Sequence, residues 1–157
     1  MPQYWTQVEV NMLERVTSHG GAAIVARGIL ARMNDIKPKR EVVQICGPMT
    51  TGGLGDFDKN MERFALAIER ATLQGHLVFN QIHFQGALAR ISGRLTGRTE
   101  YDMDILEVFY RGIFMSGFIH KVLFLEDWES SVGATWERTL VNELCIPVEE
   151  YPMEWLT

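Results

Sequence analysis

Residues 41–56 read Glu41-Val42-Val43-Gln44-Ile45-Cys46-Gly47-Pro48-Met49-Thr50-Thr51-Gly52-Gly53-Leu54-Gly55-Asp56. The run from Glu41 to Cys46 is short, apolar and β-branched, which predicts a buried strand. Gly47-Pro48 stops it, and a glycine-rich loop ending near Asp56 feeds a helix. That helix is predicted over Phe57–Leu73, with Met61, Phe64, Ile68 and Ala71 on one face and Gly75 as its stop. His76–Asn80 and Ile119–Leu125 read as further strands. Ile146-Pro147-Val148 reads as a last one, which Pro147 pushes toward an edge or a strand start. Helices are expected at Tyr101–Met115 and Val132–Leu144, whereas Gln81–Thr99 has no clear period and reads as a long loop with a helical turn. Alternating strands and helices imply right-handed βαβ crossovers, hence an α/β fold with a doubly wound parallel sheet of four to five strands. Ligands in such sheets sit beyond the carboxyl ends of the strands. The loops after Cys46, Asn80 and Leu125 are therefore the ones to watch.

Upstream, residues 1–40 read as a helical extension and linker preceding an α/β domain over 41–157. Trp5, Val8, Met12, Leu13 and Val16 share a helical face, with Thr6 placed to cap before Glu9. Ser18-His19-Gly20-Gly21 breaks the pattern, and Ala22–Met33 resumes it with Ile24, Val25, Ile29 and Leu30 as the apolar stripe. The linker Asn34–Arg40 follows, where Pro38 opposes helix.

The whole chain has 157 residues, 46% hydrophobic and 22% charged, with net charge −5. That suits one domain with its own core and excludes a disordered or low-complexity chain. Its longest uncharged apolar stretch, Gly112–His120, is far short of the roughly 18 residues that span a bilayer. No signal peptide pattern opens the sequence, so no membrane contact and a cytoplasmic location are expected. Cys46 and Cys145 form no disulfide framework, and His19, His76, His83 and His120 have no ligand spacing, so neither metal nor cofactor is expected. The first 40 residues carry net +3 and the remainder −8. A basic front with a faint helix-turn-helix pattern lacks a third, recognition helix before Pro38, and nucleic acid is not the expected partner.

Three stretches could carry chemistry. Glycines in the 47–55 loop would let backbone N–H groups approach an anion, although no P-loop or dinucleotide fingerprint is present. In Trp128-Glu129-Ser130-Ser131-Val132-Gly133-Ala134-Thr135-Trp136-Glu137 a hydroxyl pair can cap a helix, and periodicity alone leaves Glu137 open to a solvent-facing place, the commoner fate of a glutamate. Glu100, Asp102 and Asp104 precede a helix, where acids complement its dipole.

Taken in order, Ile45-Cys46-Gly47-Pro48-Met49-Thr50, Asn60-Met61-Glu62-Arg63-Phe64, Gly75-His76-Leu77-Val78-Phe79-Asn80 and Val122–Glu137 resemble the nucleoside 2-deoxyribosyltransferase-like superfamily, in its small, often phage-encoded branch. The resemblance covers about residues 42–148. It implies a flavodoxin-like sheet of order 2-1-3-4-5, a homodimer or larger homo-oligomer, and cleavage or exchange of the N-glycosidic bond of a nucleoside or nucleoside 5′-monophosphate. Glu137 matches the family's nucleophilic glutamate. Ser131 and Gly133 match the positions that present sugar or phosphate oxygens to the helix start. Gly47, Pro48 and Met49 match the turn beside the sugar, and Trp128 opens the family's Trp-x-x-Ser-x-Gly-Ala motif and counts with the substrate-binding set. Asn80 ends the second strand as in that branch, but Gln81 stands where Pro is expected. The family's second acid falls on Gly112 or His120 when counted back from Trp128, leaving Asp102 or Asp104 as the candidate helper. The alternative is a non-catalytic module that binds a nucleotide-derived ligand in regulation or phage–host conflict.

Overall fold

The computed structural model describes residues 1–96 and 102–157, so Glu100 lies outside the described residues. The chain clusters into two compact units, Met1–Lys39 with Gln81–Phe118 and Arg40–Asn80 with Ile119–Thr157. Residues 81–118 cluster with the N-terminal helices.

The second unit is the α/β body. Its strands are β1 (Val42–Cys46), β2 (Leu77–Val78), β3 (Lys121–Phe124) and β4 (Val148–Glu150), all parallel, in the order β2-β1-β3-β4. All five residues of β1 are buried, as expected of a central parallel strand covered on both faces. The register pairs Val42 with Leu77 and Cys46 with Phe124. Helix α3 (Phe57–Leu73) connects β1 to β2, and α6 (Val132–Glu143) connects β3 to β4. The two crossovers move in opposite directions along the sheet, so right-handedness puts α3 and α6 on opposite faces: the sheet is doubly wound.

Several strands are shorter than the sequence suggested. β2 keeps two residues, with Phe79 N–H still reaching Val43 O (2.9 Å) just past its end. The last strand begins after Pro147 rather than before it. Pro147 has no N–H to donate, yet its carbonyl accepts from Val122 N–H at 2.9 Å, so it is a strand-start proline. Asp56 caps α3 by accepting from Lys59 N–H, and Phe64, Ala67, Ile68 and Ala71 form its buried face. Beyond β4, Tyr151 donates its hydroxyl to Ala67 O at 2.9 Å and is buried.

The helical unit holds α1 (Gln7–Arg15), α2 (His19–Asn34), a 3-10 turn at Gln81–Phe84, α4 (Gln85–Thr96), a π-helix at Ile105–Tyr110 and α5 (Arg111–Phe114). Thr6 and Glu9 form a capping box at α1, and Ser18 caps α2 on Gly21 N–H. The two glycines therefore lie inside α2, not in a break before it. Ile24 is 55% exposed, which corrects its place in the apolar stripe. The buried face runs through Ala22, Ala23, Val25, Ala26, Ile29, Leu30 and Met33. Residues 81–96 are helical where a loop was expected. Phe84, Leu88 and Ile91 are buried there, and Phe84 packs on Phe109 at 5.2 Å. Between the units' sequence segments, β2 leads into this helical excursion and β3 returns from it.

Phe64 is fully buried in the α/β unit. Phe64→Ala should lower unfolding free energy by about 3–5 kcal/mol, as aromatic truncations in cores do. Urea denaturation would show this as a lower midpoint with an unchanged slope.

Candidate active site

Everything the sequence placed around Glu137, apart from Asp102 and Asp104, belongs to the α/β unit. The site is built at the point where β1 ends. Leu125 N–H bonds Cys46 O at 2.9 Å, and a Cβ at Gly47 would stand 2.6 Å from Leu125 Cδ1. Only glycine lets β1 leave the sheet this close to the end of β3. Pro48 is buried behind it.

Asn60, one turn into α3 and 1% exposed, holds the loop that follows. Its Oδ1 accepts from Leu54 N–H (2.9 Å), and its Nδ2 donates to Met49 O and Gly52 O (both 3.1 Å). Across the loop, Gly53 N–H donates to Ser130 Oγ at 2.7 Å and Val132 N–H to Thr51 Oγ1 at 2.9 Å. Gly52 adopts φ +68°, and a Cβ there would lie 2.1 Å from Ser130 O, so no other residue fits. The loop is pinned from one side by α3 and from the other by the start of α6.

Ser131 is buried and caps α6, accepting from Ala134 N–H at 3.2 Å. Of the hydroxyl pair seen in the sequence, Ser131 serves the helix and Ser130 serves the glycine loop. Gly133 lies one turn before Glu137, so both share a helix face. Trp128 sits edge-on to Phe124 at 5.6 Å, and the Arg138 guanidinium covers both rings at 4.7 and 4.9 Å. Asn80, half-buried, closes the strand side of this unit.

Glu137 faces inward. It is 7% exposed, on the buried face with Ala134, Leu140 and Val141. Its Oε2 accepts from the Cys46 thiol at 3.2 Å, which puts the carboxyl at the last residue of β1. Burial raises its pKa to about 8, and the Cys46 hydrogen bond only partly offsets this. Burial, together with the neighbouring carboxyl, pushes the Cys46 thiol well up as well. Both groups are neutral at pH 7.

Gln44 lies two residues before Cys46, on the same face of β1. It is fully buried, and neither amide atom has a hydrogen-bond partner among the described residues. The sequence reading singled out none of Gln44, Asn60 or Thr51 as functional. The period-two spacing of Gln44 and Cys46 in a buried strand was the available signal for the first.

Asp102 and Asp104 belong to the helical unit. Asp102 Oδ2 accepts from Ser92 Oγ (2.6 Å) and pairs with the buried His19 Nε2 (2.9 Å), while Oδ1 accepts from Asp104 N–H (3.0 Å). Burial works against its charge, but these hydrogen bonds outweigh it and hold its pKa below the usual value. Asp104 is exposed. At the two alternative acid positions, Gly112 packs on Ala23 and Arg27, and His120 Nδ1 accepts from Val42 N–H at 2.8 Å. No cluster of three or more metal-ligating side chains occurs among the described residues.

The family model described as a domain of unknown function (DUF4406) matches residues 41–150. The chain belongs to that family. The DUF4406 match spans β1 to β4 and so contains the whole glycine loop, Ser131, Gly133 and Glu137. No curated protein and no solved structure matches the chain.

Two measurements test this geometry. A carboxyl that keeps its proton to about pH 8 when folded, but loses it near pH 4.5 when unfolded, favours the folded state at low pH. Its contribution is full below pH 4.5 and is lost as pH rises toward 8, at up to about 1.4 kcal/mol per unit. Glu137→Gln should flatten that decline in a series of urea melts. Separately, Gln44→Met removes two unsatisfied polar atoms at near-constant volume and should leave stability unchanged or raise it by about 1 kcal/mol. A loss of more than that would show that the amide is bonded in solution.

Proposed function

We propose that this DUF4406 protein is an N-glycosidase or 2-deoxyribosyltransferase-like enzyme acting on a nucleoside or nucleoside 5′-monophosphate, with Glu137 as nucleophile. One observation carries the reading: a carboxyl without a cationic partner among the described residues, buried against the last residue of the central strand. This is the end of a parallel sheet at which ligands bind. The resemblance of the Gly47-Pro48-Met49 turn and the Trp128–Glu137 segment to the nucleoside 2-deoxyribosyltransferase-like group supports it.

The chemistry follows from desolvation. Once ionised, a carboxylate in an apolar setting is poorly solvated, so it gains most when positive charge develops beside it. Cleavage of a C–N glycosidic bond develops that charge at the anomeric carbon. A Glu137 oxygen then bonds that carbon as the base departs with the bonding pair and takes up a proton. The glycosyl ester is released by water or by a second base, in the manner of retaining glycosidases. Gly47, Pro48 and Met49 would flank the sugar. Ser131 and Gly133, at the start of α6, would face its oxygens or a phosphate. We place the reaction in a reducing, cytoplasmic setting, in keeping with two unpaired thiols, and in a homo-oligomer.

A second reading rests on the neutral state of Glu137 at pH 7. A protonated carboxyl donates a hydrogen bond and suits a module that binds a nucleotide derivative without cleaving it.

Chromatography of nucleosides and 5′-monophosphates incubated with the protein separates the two. The enzyme reading expects released base, a kcat/KM that climbs with pH and levels off near 8, and loss of at least 10³-fold on Glu137→Ala. Ligand-induced thermal stabilisation with no base released would establish the binding module instead. Turnover that survives Glu137→Ala would take the residue out of the mechanism.

A further inference from the structure

The helical unit contains a cavity of about 320 Å³, at the small end of the roughly 300–1,000 Å³ typical of ligand sites. Its α1 wall precedes residue 41, where the family match begins, while the wall formed by His83, Ala87 and Arg90 lies within the match.

The cavity has two unlike ends. At one, the Trp5 ring meets His83 edge-on at 5.9 Å and leans on Phe84 at 5.3 Å. Partial desolvation lowers the His83 pKa, so that ring is neutral at pH 7. Val10, Leu13 and Ala87 line the middle. At the other end stand Glu14 and Arg90. Arg90 is fixed by donating to Val16 O (2.9 Å) and Leu13 O (3.0 Å), the exposed carbonyls at the end of α1. These contacts make α1 and α4 run side by side in the same direction, with the aromatic pair at one end and the charged pair at the other. Glu14 is exposed and makes no ion pair among the described residues.

We propose that this cavity binds a small aromatic zwitterion of the amino-acid type. Its ring lies toward Trp5 and His83, its ammonium group pairs with Glu14, and its carboxylate faces the Arg90 guanidinium. A fixed guanidinium and an unpaired carboxylate at one end of an apolar slot complement a head group carrying both charges. An aromatic face at the far end complements a planar tail. A purely cationic or purely anionic ligand would leave one of the two charges unanswered.

Isothermal titration calorimetry of the full chain with L-tryptophan, tryptamine and indole-3-propionate tests this. L-tryptophan should bind about tenfold or more tighter than either single-charge analogue. Glu14→Gln, at an exposed position, should erase the advantage over indole-3-propionate while the circular dichroism spectrum stays the same. Ala87→Leu, which fills the middle of the slot, should abolish binding of all three. Absence of saturable heat with every ligand would overturn the proposal, as would affinities indifferent to Glu14→Gln. Neither result bears on nucleobase release, which is read separately.

Discussion

A carboxyl group buried against the end of a central β-strand must stay protonated or be met by positive charge. Among the described residues no basic side chain answers Glu137: its partner is the Cys46 thiol, a weak donor at 3.2 Å. The carboxyl therefore keeps its proton in most molecules at pH 7. Much else in the α/β unit follows from holding that group where it is. β1 must be covered on both faces to bury Cys46, α6 must turn its Ala134–Glu137–Val141 side inward, and Gly47 must let the chain escape beside Leu125 without lifting the strand away. Burial that would be costly for a purely structural residue would become useful in the proposed reaction, where a cationic centre is formed.

The glycine loop shows the complementary principle. Glycine-rich segments cost conformational entropy to order, and residues 47–56 are ordered by three side chains, one of which holds several backbone groups. Asn60 bonds three of them, and Ser130 and Thr51 take one each. A loop fixed before its ligand arrives spares the ordering free energy at binding. This gives the Asn60 position, on the first turns of α3, a function that its helix-forming role would not require.

How much of this the sequence disclosed depended on whether the local signal was also the decisive one. α3 was read to the residue, because an Asp56 cap, a strongly one-sided apolar face and the Gly75 stop all agreed. β1 was read for the same reason, as its run of small branched residues admits little else. The 81–96 segment was missed. Its buried Phe84, Leu88 and Ile91 have helical spacing, but Gly86, Ser92 and Gly93 dilute the pattern and weaken helix propensity. Ile24 was misplaced because α2 is apolar nearly all round. Its buried alanines pack closely, so periodicity alone could not choose the face. At Glu137 periodicity and residue type conflicted: the position belongs to the inward face, while a glutamate is ordinarily found in water. Such conflicts between local preference and fold are expected at functional sites. Hydrogen-bond partners distant in sequence, such as Thr51 with Val132, had no local signature at all.

The two carboxyls weighed for chemistry are tuned in opposite senses, Glu137 above its ordinary pKa and Asp102 below. A nucleophile paired with a general acid would ask for the reverse. The size of the mismatch matters more than its sign. With a pKa of about 8, Glu137 is ionised in roughly one molecule in ten at pH 7, a penalty of about 1.4 kcal/mol. That is a factor of ten in rate, small beside the 10²–10⁴-fold typical of general acid help. The protonated resting state therefore slows a glycosyl transfer without forbidding it. Asp102 is the harder case, because the His19 and Ser92 hydrogen bonds that keep it charged would have to be given up before it could donate a proton. On the proposed reading the chemistry is better served if the base leaves with a proton from another source than Asp102, with Glu137 alone for the covalent step.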